Sequence, residues 1–501
     1  MKNKFYVTTP IYYVNDAPHI GHAYTTILAD VLTRFHRALG DDSFFLTGLD
    51  EHGQKVQQAA EKRGLSPKAH CDELAPRFSE LWKTLGISND DFIRTTESRH
   101  IQVVQAILQK VYDKGDIYQK EYEGIYSVAE ERFITEKEAE SGQFREVKVI
   151  KEKNYFFKMS SYQDRLIRYI EEHPGFIRPD HRKNEMLGFL RQPLGDLCIS
   201  RPKARLSWGI EIPFDKDYVT YVWFDALINY ISAIGYLSDE VKFKRLWPGT
   251  HLIGKDILTT HSIYWTTMLF SLDLPLPDTI FAHGWWLMGE SKMSKSLGNV
   301  VKPLDLIERH GVDAVRYYLM SEMTLGADAN FTPENFIKRY NSDLANDFGN
   351  LLNRVSGLIG KNHGGIIPEL GIPTLADEEV AGAGRALGPK VEALIREYKV
   401  DEAINEVMNL IRQVNKYMEA QAPWKLAKTD LPAAGRVLYI ATEALRLSAV
   451  FLKSVMPTKT VQVLEILGAL DSGSFWGELK PGVKLPSFPP LFPRIEIDKQ
   501  S

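Results

Sequence analysis

Cysteine is scarce in this chain of 501 residues, which contains only Cys71 and Cys198. Two cysteines so far apart exclude a disulfide-stabilised scaffold and a zinc site built on a Cys-x-x-Cys pair, and they suit a reducing compartment. The amino-terminal segment MKNKFYVTTPIYYVND also lacks the apolar core of a secretory signal. We therefore expect a cytoplasmic protein.

Long uncharged hydrophobic runs are missing as well. The most apolar long stretch, 437–456, carries Glu443, Arg446 and Lys453, which predicts a buried helix and no membrane partner. The net charge of −4 lacks the basic excess typical of a simple nucleic-acid binder. Only the segment 145–205 is locally basic, with 14 Lys and Arg against 8 Asp and Glu.

The hydrophobic pattern predicts an α/β protein. Residues 4–9 and 42–49 favour strands, and the helical periodicity of 21–39 lies between them, so the first fifty residues indicate a βαβ unit with a parallel sheet. Sheet-like segments return at VTYVWFDA near 219, THLIGKD near 250 and TIFAHGWW near 279. From about 340 the pattern is helical.

These patterns predict a Rossmann-like, doubly wound parallel sheet split by an inserted α+β module and followed by an all-α helical bundle. The expected segments are 1–115 and 219–300 for the two halves of the α/β domain, 116–218 for the insert, 301–340 for a linker, 341–470 for the helical domain and 471–501 for an extended tail.

Two motifs lie at opposite ends of the α/β portion. Pro18-His19-Ile20-Gly21-His22 occupies the first strand-to-helix turn, where a helix N-terminus offers N–H groups to phosphates. Gly21 lets a nucleotide approach the backbone, and the two imidazoles can donate hydrogen bonds to an attacked α-phosphate. Taken alone, two histidines around a glycine are more often structural.

The second motif is Lys292-Met293-Ser294-Lys295-Ser296, in a glycine-flanked loop. Two lysines on a loop that closes late can neutralise a departing pyrophosphate. Alone, such a sequence is commonly a surface loop. Together the two motifs indicate a site that transfers a nucleotidyl group from ATP.

The two motifs resemble the signature pair of class I aminoacyl-tRNA synthetases, and their surroundings resemble the methionyl-tRNA synthetase family. The matching blocks, in order, are TTPIYYVNDAPHIGHAYT, FLTGLDEHGQK, YVWFDALINY, HLIGKDI followed by HSIYW, and AHGWWLMGESKMSKSLGN. The resemblance implies that methionine is activated with ATP and Mg²⁺ to methionyl-adenylate and transferred to the 3′ end of tRNA(Met).

The resemblance also implies roles for single residues. Asp50 would receive the ammonium group of methionine. The side-chain pocket would be walled by Ile11, Tyr13, Trp223, Ala226, Leu227, Tyr230, His261 and Trp265. Aromatic rings suit a thioether, although such a set is otherwise usually core. Some relatives carry proline at position 227, and leucine there keeps the pocket apolar.

ATP would be bound by His19, Gly21, His22, Gly254, Asp256, Lys292, Ser294 and Lys295. Of these, His19, His22, Lys292 and Lys295 are the implied catalytic residues. Asn350 and Arg354, four apart on one helix face, and Trp424 match positions that meet the anticodon. The basic segment 145–205 could guide the acceptor end.

This sequence departs from the family pattern at the position of a zinc site. Many relatives carry Cys-x-x-Cys pairs in the inserted module, but here Ser127 and Glu130 stand at the ligand spacing. Tetrahedral zinc needs four N, S or O ligands, so we predict no structural zinc.

Three alternatives remain at this stage. Another class I synthetase is one, although the insert is too short for the editing domain of the Ile, Val and Leu enzymes. A non-catalytic tRNA-binding paralogue is disfavoured by the intact phosphate motifs, and a small-molecule adenylyltransferase leaves the helical domain unexplained. No obvious dimerising appendage follows the helical domain, which favours a monomer.

Overall fold

The structure is a computed structural model that describes residues 3–14, 18–127, 132–134, 139–140, 147–288, 291–292 and 301–496. Two compact units divide the chain. The first unit comprises Met1–Pro18, His36–Lys83 and Ile87–Gly284, and the second comprises His19–Phe35, Thr84–Gly86 and Trp285–Ser501.

The first unit contains three sheets. Its strands are β1 (Lys4–Tyr13), β2 (Asp42–Asp50), β3 (Asp91–Arg94), β4 (Ile117–Ser127), β5 (Arg132–Ile134), β6 (Val147–Phe157), β7 (Ile177–Arg178), β8 (Leu197–Cys198), β9 (Ser200–Pro202), β10 (Glu211–Ile212), β11 (Asp215–Thr220), β12 (Thr250–Gly254) and β13 (Thr279–His283). The α-helices over the same stretch of chain are α1 (Ile20–Ala38), α2 (Gln54–Lys62), α3 (Pro67–Thr84), α4 (Ser98–Asp113), α5 (Gln163–Glu172), α6 (Asp180–Phe189), α7 (Val222–Leu227), α8 (Asn229–Ser232), α9 (Glu240–Leu246) and α10 (Thr266–Ser271).

The main sheet is parallel and has the strand order β3-β2-β1-β12-β13-β7. This arrangement, followed by a helical domain, confirms the predicted fold class. Strand order reverses between β1 and β12, so ligands are expected beyond the carboxyl ends of these strands. The edge strand β7 comes from the predicted insert, a contribution that its two residues did not reveal in the sequence.

Strand β2 shows why this sheet is buried on both faces. All residues from Phe45 to Asp50 are buried, as expected for a central parallel strand covered on both sides. Gly48 pairs with Ile93 of β3, and a Cβ at Gly48 would lie 2.1 Å from the Ile93 carbonyl oxygen. Glycine is therefore required for these two strands to approach.

The sheet-like reading of VTYVWFDA was wrong in part. Strand β11 ends at Thr220 and belongs to a small antiparallel sheet, β10-β11-β9, while the following residues form helix α7. A short, fully buried apolar run looks the same in the sequence whether it is a helix or a strand. The other sheet of the insert has the order β5-β4-β6-β8.

The second unit is mainly helical. Its strands are β14 (Trp286–Met288), β15 (Ser291–Lys292) and β16 (Ala329–Asn330). Its further α-helices are α11 (Pro303–His310), α12 (Val312–Glu322), α13 (Pro333–Arg339), α14 (Asn350–Asn362), α15 (Leu375–Arg396), α16 (Val400–Gln421), α17 (Pro423–Leu426), α18 (Leu431–Leu452) and α19 (Pro457–Ile466). A π-helix, Tyr340–Gly349, precedes α14.

Helix α18 contains most of the apolar stretch predicted to be a buried helix, and this prediction is confirmed. Its two buried charges form a pair, with Arg446 Nε 2.7 Å from Glu443 Oε2. Among the helices of the described residues, none is long and apolar enough to cross a membrane. The described tail beyond α19 has no helix or named strand, and Lys484 makes an isolated bridge to Ile366.

Candidate functional site

Asp50 lies at the carboxyl end of β2, beside Tyr13 at the end of β1. Its side chain is buried, with 6% of the residue surface exposed. The backbone here is fixed from two sides, because Val14 N–H donates to the Asp50 carbonyl over 3.1 Å and Glu51 N–H donates to Thr95 Oγ1 over 3.0 Å. The structure thus places a buried carboxyl group at the strand ends where a ligand is expected.

Most residues of the predicted side-chain pocket lie on three short helices. Trp223, Ala226 and Leu227 lie on α7, Tyr230 on α8, and His261 and Trp265 on a π-helix, Thr260–Trp265. All are buried except Trp223, which is partly buried like Ile11 and Tyr13 of β1; these three pack against the same core. Single-turn π-helices are frequent at functional sites.

Tyr230 is in contact with both His261 and Trp265. Tyr230 Oη lies 2.7 Å from His261 Nε2, and the Tyr230 ring centroid is 5.7 Å from that of His261 and 6.0 Å from that of Trp265. The Trp223 ring meets His261 edge-on at 6.4 Å. The predicted residues therefore form a cluster of aromatic rings with one hydroxyl and one imidazole.

The hydrogen bonds of His261 determine its tautomer. Nδ1 lies 2.9 Å from the Ile257 carbonyl oxygen, which can only accept, so Nδ1 carries the proton and Nε2 accepts from the Tyr230 hydroxyl. Burial lowers the pKa of His261 to about 4. The imidazole is therefore neutral at pH 7 and suits an uncharged ligand group such as a thioether.

His251 is a member of this cluster that the sequence did not indicate. Trp265 Nε1–H donates to His251 Nε2 over 3.1 Å, and His251 Nδ1 lies 2.8 Å from Thr8 Oγ1. Its ring stacks on Tyr230 with centroids 4.1 Å apart, and burial lowers its pKa well below the usual value. A lone histidine in the strand THLIG carries no signal that distinguishes it from an ordinary core residue.

Gly254 and Asp256 lie where β12 ends. A Cβ at Gly254 would stand 2.6 Å from Asp256 Oδ1, so the turn requires glycine while Asp256 keeps this orientation. Asp256 is exposed, in the 3-10 turn Lys255–Ile257. His283 at the end of the next strand is buried, and burial lowers its pKa. These residues line the predicted crevice at the carboxyl edge of β12 and β13.

His19 and His22 belong to the second unit, at the start of α1. Their rings stack with centroids 3.8 Å apart. The Gly21 N–H donates to His19 Nδ1 over 3.1 Å and the His19 N–H donates to His22 Nδ1 over 3.2 Å. In the neutral rings both protons are therefore on Nε2, the tautomer that can donate to a phosphate oxygen.

The geometry gives Gly21 a role beyond the one expected from the sequence. A Cβ at this position would lie 3.0 Å from His19 Cε1 and 3.1 Å from His19 Nδ1. Glycine thus makes room for the imidazole of its own motif as well as for a nucleotide.

The lysine loop is described only in part. The backbone of Lys292 lies in β15, paired antiparallel with Leu287 of β14, and β14 pairs in parallel with β16. Ser294 and Lys295 lie outside the described residues, and so does Glu130 of the predicted zinc-less module. Ser127 is buried at the end of β4.

The three residues predicted to meet an anticodon lie in the second unit. Asn350 begins α14 and is exposed, and Arg354 follows one turn later. The Arg354 guanidinium lies 5.6 Å from the Trp424 ring centroid, and its Nη2 donates to Glu419 Oε1 over 2.6 Å. Arg354 and Trp424 are thus brought together, and Glu419 is a partner that the sequence did not reveal.

Comparison with known proteins places the chain in a family. The model of class I tRNA synthetases (M) matches residues 5–142 and 137–356, and that of the anticodon-binding domain of methionyl tRNA ligase matches 367–498.

Relatives match over the whole chain. The methionine–tRNA ligase of Clostridium acetobutylicum is 47% identical over 513 residues, covering 100% of this chain and 79% of that protein, and that of Caldanaerobacter subterraneus is 44% identical over 513 residues, covering 100% and 80%. The structure of Mycobacterium tuberculosis methionyl-tRNA synthetase in complex with methionyl-adenylate has a TM-score of 0.93 and 37% identity, covering 99% of this chain and 100% of that one. The chain therefore belongs to the methionyl family of class I tRNA synthetases.

Proposed function

We propose that this protein is a methionine–tRNA ligase that activates methionine with ATP and transfers it to the 3′ end of tRNA(Met). The observation that carries the amino-acid assignment is the buried cluster around the 2.7 Å contact between Tyr230 Oη and His261 Nε2. Aromatic rings hold a thioether by contacts worth about 0.3–1.5 kcal/mol each. The neutral imidazole adds no charge that would favour a polar or acidic side chain.

Methionine binds through two separate features in this proposal. Asp50 receives the ammonium group in a charge-assisted hydrogen bond, which is stronger in a buried setting than in water. The rings of Tyr13, Trp223 and Trp265, with the aliphatic Ile11, Ala226 and Leu227, enclose the side chain.

In the first step the methionine carboxylate oxygen attacks the α-phosphorus of ATP. The bond from that phosphorus to the oxygen bridging the β-phosphate breaks, which leaves methionyl-adenylate and pyrophosphate. His19 and His22 donate hydrogen bonds to the oxygens that gain charge, and Lys292 and Lys295 neutralise the pyrophosphate. Gly21, Gly254, Asp256 and Ser294 complete the proposed nucleotide site.

Mg²⁺ accompanying ATP would supply further charge neutralisation at the transferring group. In the described part of the chain no three His, Cys, Asp or Glu side chains group closely enough to hold a metal ion. The absence of structural zinc stays a prediction, to be checked by metal analysis of protein purified without chelator.

In the second step the terminal ribose of tRNA attacks the adenylate carbonyl and AMP leaves. Asn350, Arg354 and Trp424 read the anticodon by hydrogen bonds and stacking, and the basic segment 145–205 guides the acceptor end. We assign 1–115 and 219–300 to the two halves of the α/β domain, 116–218 to the insert, 301–340 to the linker that contacts the stem of the RNA, 341–470 to the anticodon domain and 471–501 to the tail. The protein is a monomer in this proposal.

Amino-acid-dependent exchange between ATP and pyrophosphate, measured for all twenty amino acids, tests the proposal. Methionine is expected to give by far the largest exchange rate, and an equal rate with another amino acid would refute the assignment. Lys295→Ala should slow adenylate formation by about two orders of magnitude, with methionine binding measured at equilibrium unchanged.

A further inference from the structure

Asp225, inside the YVWFDALINY block, is completely buried between two histidines. Its Oδ2 lies 2.7 Å from His52 Nδ1 and its Oδ1 lies 2.7 Å from His100 Nε2. His100 is 0% exposed and His52 is 5% exposed. A carboxylate can only accept, so each imidazole donates one N–H to it. None of these three side chains contributes to the chemistry proposed above.

The carboxylate is ionised in this setting. Burial alone raises the pKa of Asp225, but the charges and hydrogen bonds of His52 and His100 outweigh burial and hold the pKa below its ordinary value. Such a group is costly to leave without partners, because an isolated buried charge loses its hydration without compensation. The carboxylate therefore depends on its contacts with His52 and His100, each of which compensates part of its charge.

Two of the three residues, His52 and Asp225, belong to segments that carry the proposed methionine site. His52 follows Asp50 by two positions, and its ring packs on Trp208, whose Nε1–H donates to the Glu51 carbonyl over 2.5 Å. Asp225 lies on α7 between Trp223 and the pocket residue Ala226.

The contact of Asp225 with His100 leads to a further helix, α8. His100 on α4 lies 2.8 Å from Ser232 Oγ through its Nδ1, and Ser232 is on α8 together with Tyr230. The Asp225 carboxylate thus connects His52, two residues after Asp50, to α7 directly and to α8 through His100 and Ser232.

We propose that Asp225, with His52 and His100, is a positioning residue that sets the distance between the ammonium-binding carboxylate of Asp50 and the aromatic side-chain pocket. The inference rests on the proposed function, since it assumes that methionine occupies both places. A ligand that uses both places depends on this distance, whereas a ligand that uses only the pocket does not. If these three residues only stabilised the core, their substitution would change the affinity for both ligands equally.

The test compares two ligands in purified full-length protein. L-Methionine carries the ammonium group, and 4-(methylsulfanyl)butanoate is the same molecule without it. Equilibrium dissociation constants are measured by intrinsic tryptophan fluorescence, and the ratio of the two constants reports the contribution of the ammonium group. In Asp225→Asn we expect this ratio to fall about tenfold, because methionine weakens while the desamino acid changes less than about twofold.

The chain offers a matched control. Asp41 and His36 form a second buried histidine–carboxylate pair, 2.7 Å apart, at the start of β2. Asp50 is at the opposite end of that strand, about 30 Å from Asp41 at roughly 3.3 Å per residue. Asp41→Asn should lower the melting temperature to a similar extent but leave the ligand ratio unchanged.

A second variant, His52→Ala, tests the proposal even if Asp225→Asn does not fold. His52→Ala removes one arm while His100 still compensates the carboxylate, and we expect a fall in the ratio of about threefold. Equal weakening of both ligands in either folded variant, or no change in methionine affinity, would overturn the positioning role. Failure of the unmodified protein to bind methionine would instead refute the proposed function.

Discussion

Replacing Gly21 by alanine should make the protein more stable and slower. The added methyl group would lie 3.0 Å from His19 Cε1 and 3.1 Å from its Nδ1, closer than the ordinary van der Waals separation of about 3.5–4.0 Å. The imidazole must therefore move by several tenths of an ångström. That movement lengthens the 3.1 Å hydrogen bond from the Gly21 N–H to His19 Nδ1, which fixes the tautomer that donates from Nε2.

The effect of Gly21→Ala on stability is favourable and its effect on the rate is unfavourable, and each magnitude can be worked out separately. Alanine is favoured over glycine within a helix by about 0.5–1 kcal/mol, and Gly21 is in the first turn of α1, so the free energy of unfolding should rise by up to that amount. Removal of one transition-state donor costs about 100- to 1,000-fold in rate. Because His19 is displaced and not removed, we expect adenylate formation to slow by about 10- to 100-fold.

Pre-steady-state formation of methionyl-adenylate, followed by rapid quench, measures the chemical step, and urea unfolding measures stability. Gly357→Ala is the matched control, since Gly357 is also helical and a Cβ there would meet nothing within 4 Å. This control should gain similar stability with an unchanged burst. A Gly21→Ala enzyme whose burst rate falls by less than twofold would refute the reasoning about His19.

Three further predictions concern the pocket and the anticodon domain. Tyr230→Phe leaves His261 Nε2 without its 2.7 Å donor and should raise the KM for methionine by about 5- to 30-fold at an unchanged KM for ATP, since a lost buried partner costs about 1–2 kcal/mol; equal changes in both KM values would contradict it. Because burial lowers the pKa of His261 from 6.5 to about 4, the unfolded chain binds the extra proton between these values, so stability falls with decreasing pH across this window by up to about 1.4 kcal/mol per pH unit. His261→Gln should show a shallower pH dependence in urea unfolding at pH 6.5 and 4.5, and an identical one would exclude His261 as a contributor. Arg354→Ala should raise the KM for tRNA(Met) at least about tenfold without altering ATP–pyrophosphate exchange, whereas slower exchange would show that its effect is not confined to tRNA.

The order of strands and helices and the position of the motifs were predictable because they depend on local patterns. A βαβ unit follows from periodicity over fifty residues, whereas the role expected of Asp50 follows from the family resemblance. The structure of the block YVWFDALINY was harder to predict. Its pocket residues follow from the family resemblance, while the pattern over helix α7 predicts sheet because buried helices and buried strands share the same composition.

The role of Asp225 could not be predicted from the sequence, because it depends on contacts between distant positions. Its partners His52 and His100 are 173 and 125 residues away, and no local pattern distinguishes them from solvated or core histidines. The same holds for His251, whose hydrogen bonds to Trp265 and Thr8 join three separate segments. Contacts between distant positions decide protonation and orientation, and a single sequence records neither.

The surroundings of Arg354 fit the proposal that this residue reads an anticodon base in a chain with a net charge of −4. Glu419 Oε1 lies 2.6 Å from the guanidinium and offsets part of the attraction that Arg354 exerts on phosphates. Its fixed plane of N–H donors, beside the Trp424 ring, remains available for base edges and for stacking. Affinity from phosphate contacts grows with each charge neutralised and falls with salt, whereas base contacts of this kind depend on geometry. In the proposed site, a carboxylate beside the arginine therefore favours an unstacked base over the RNA backbone, which is the preference that selection among anticodons requires.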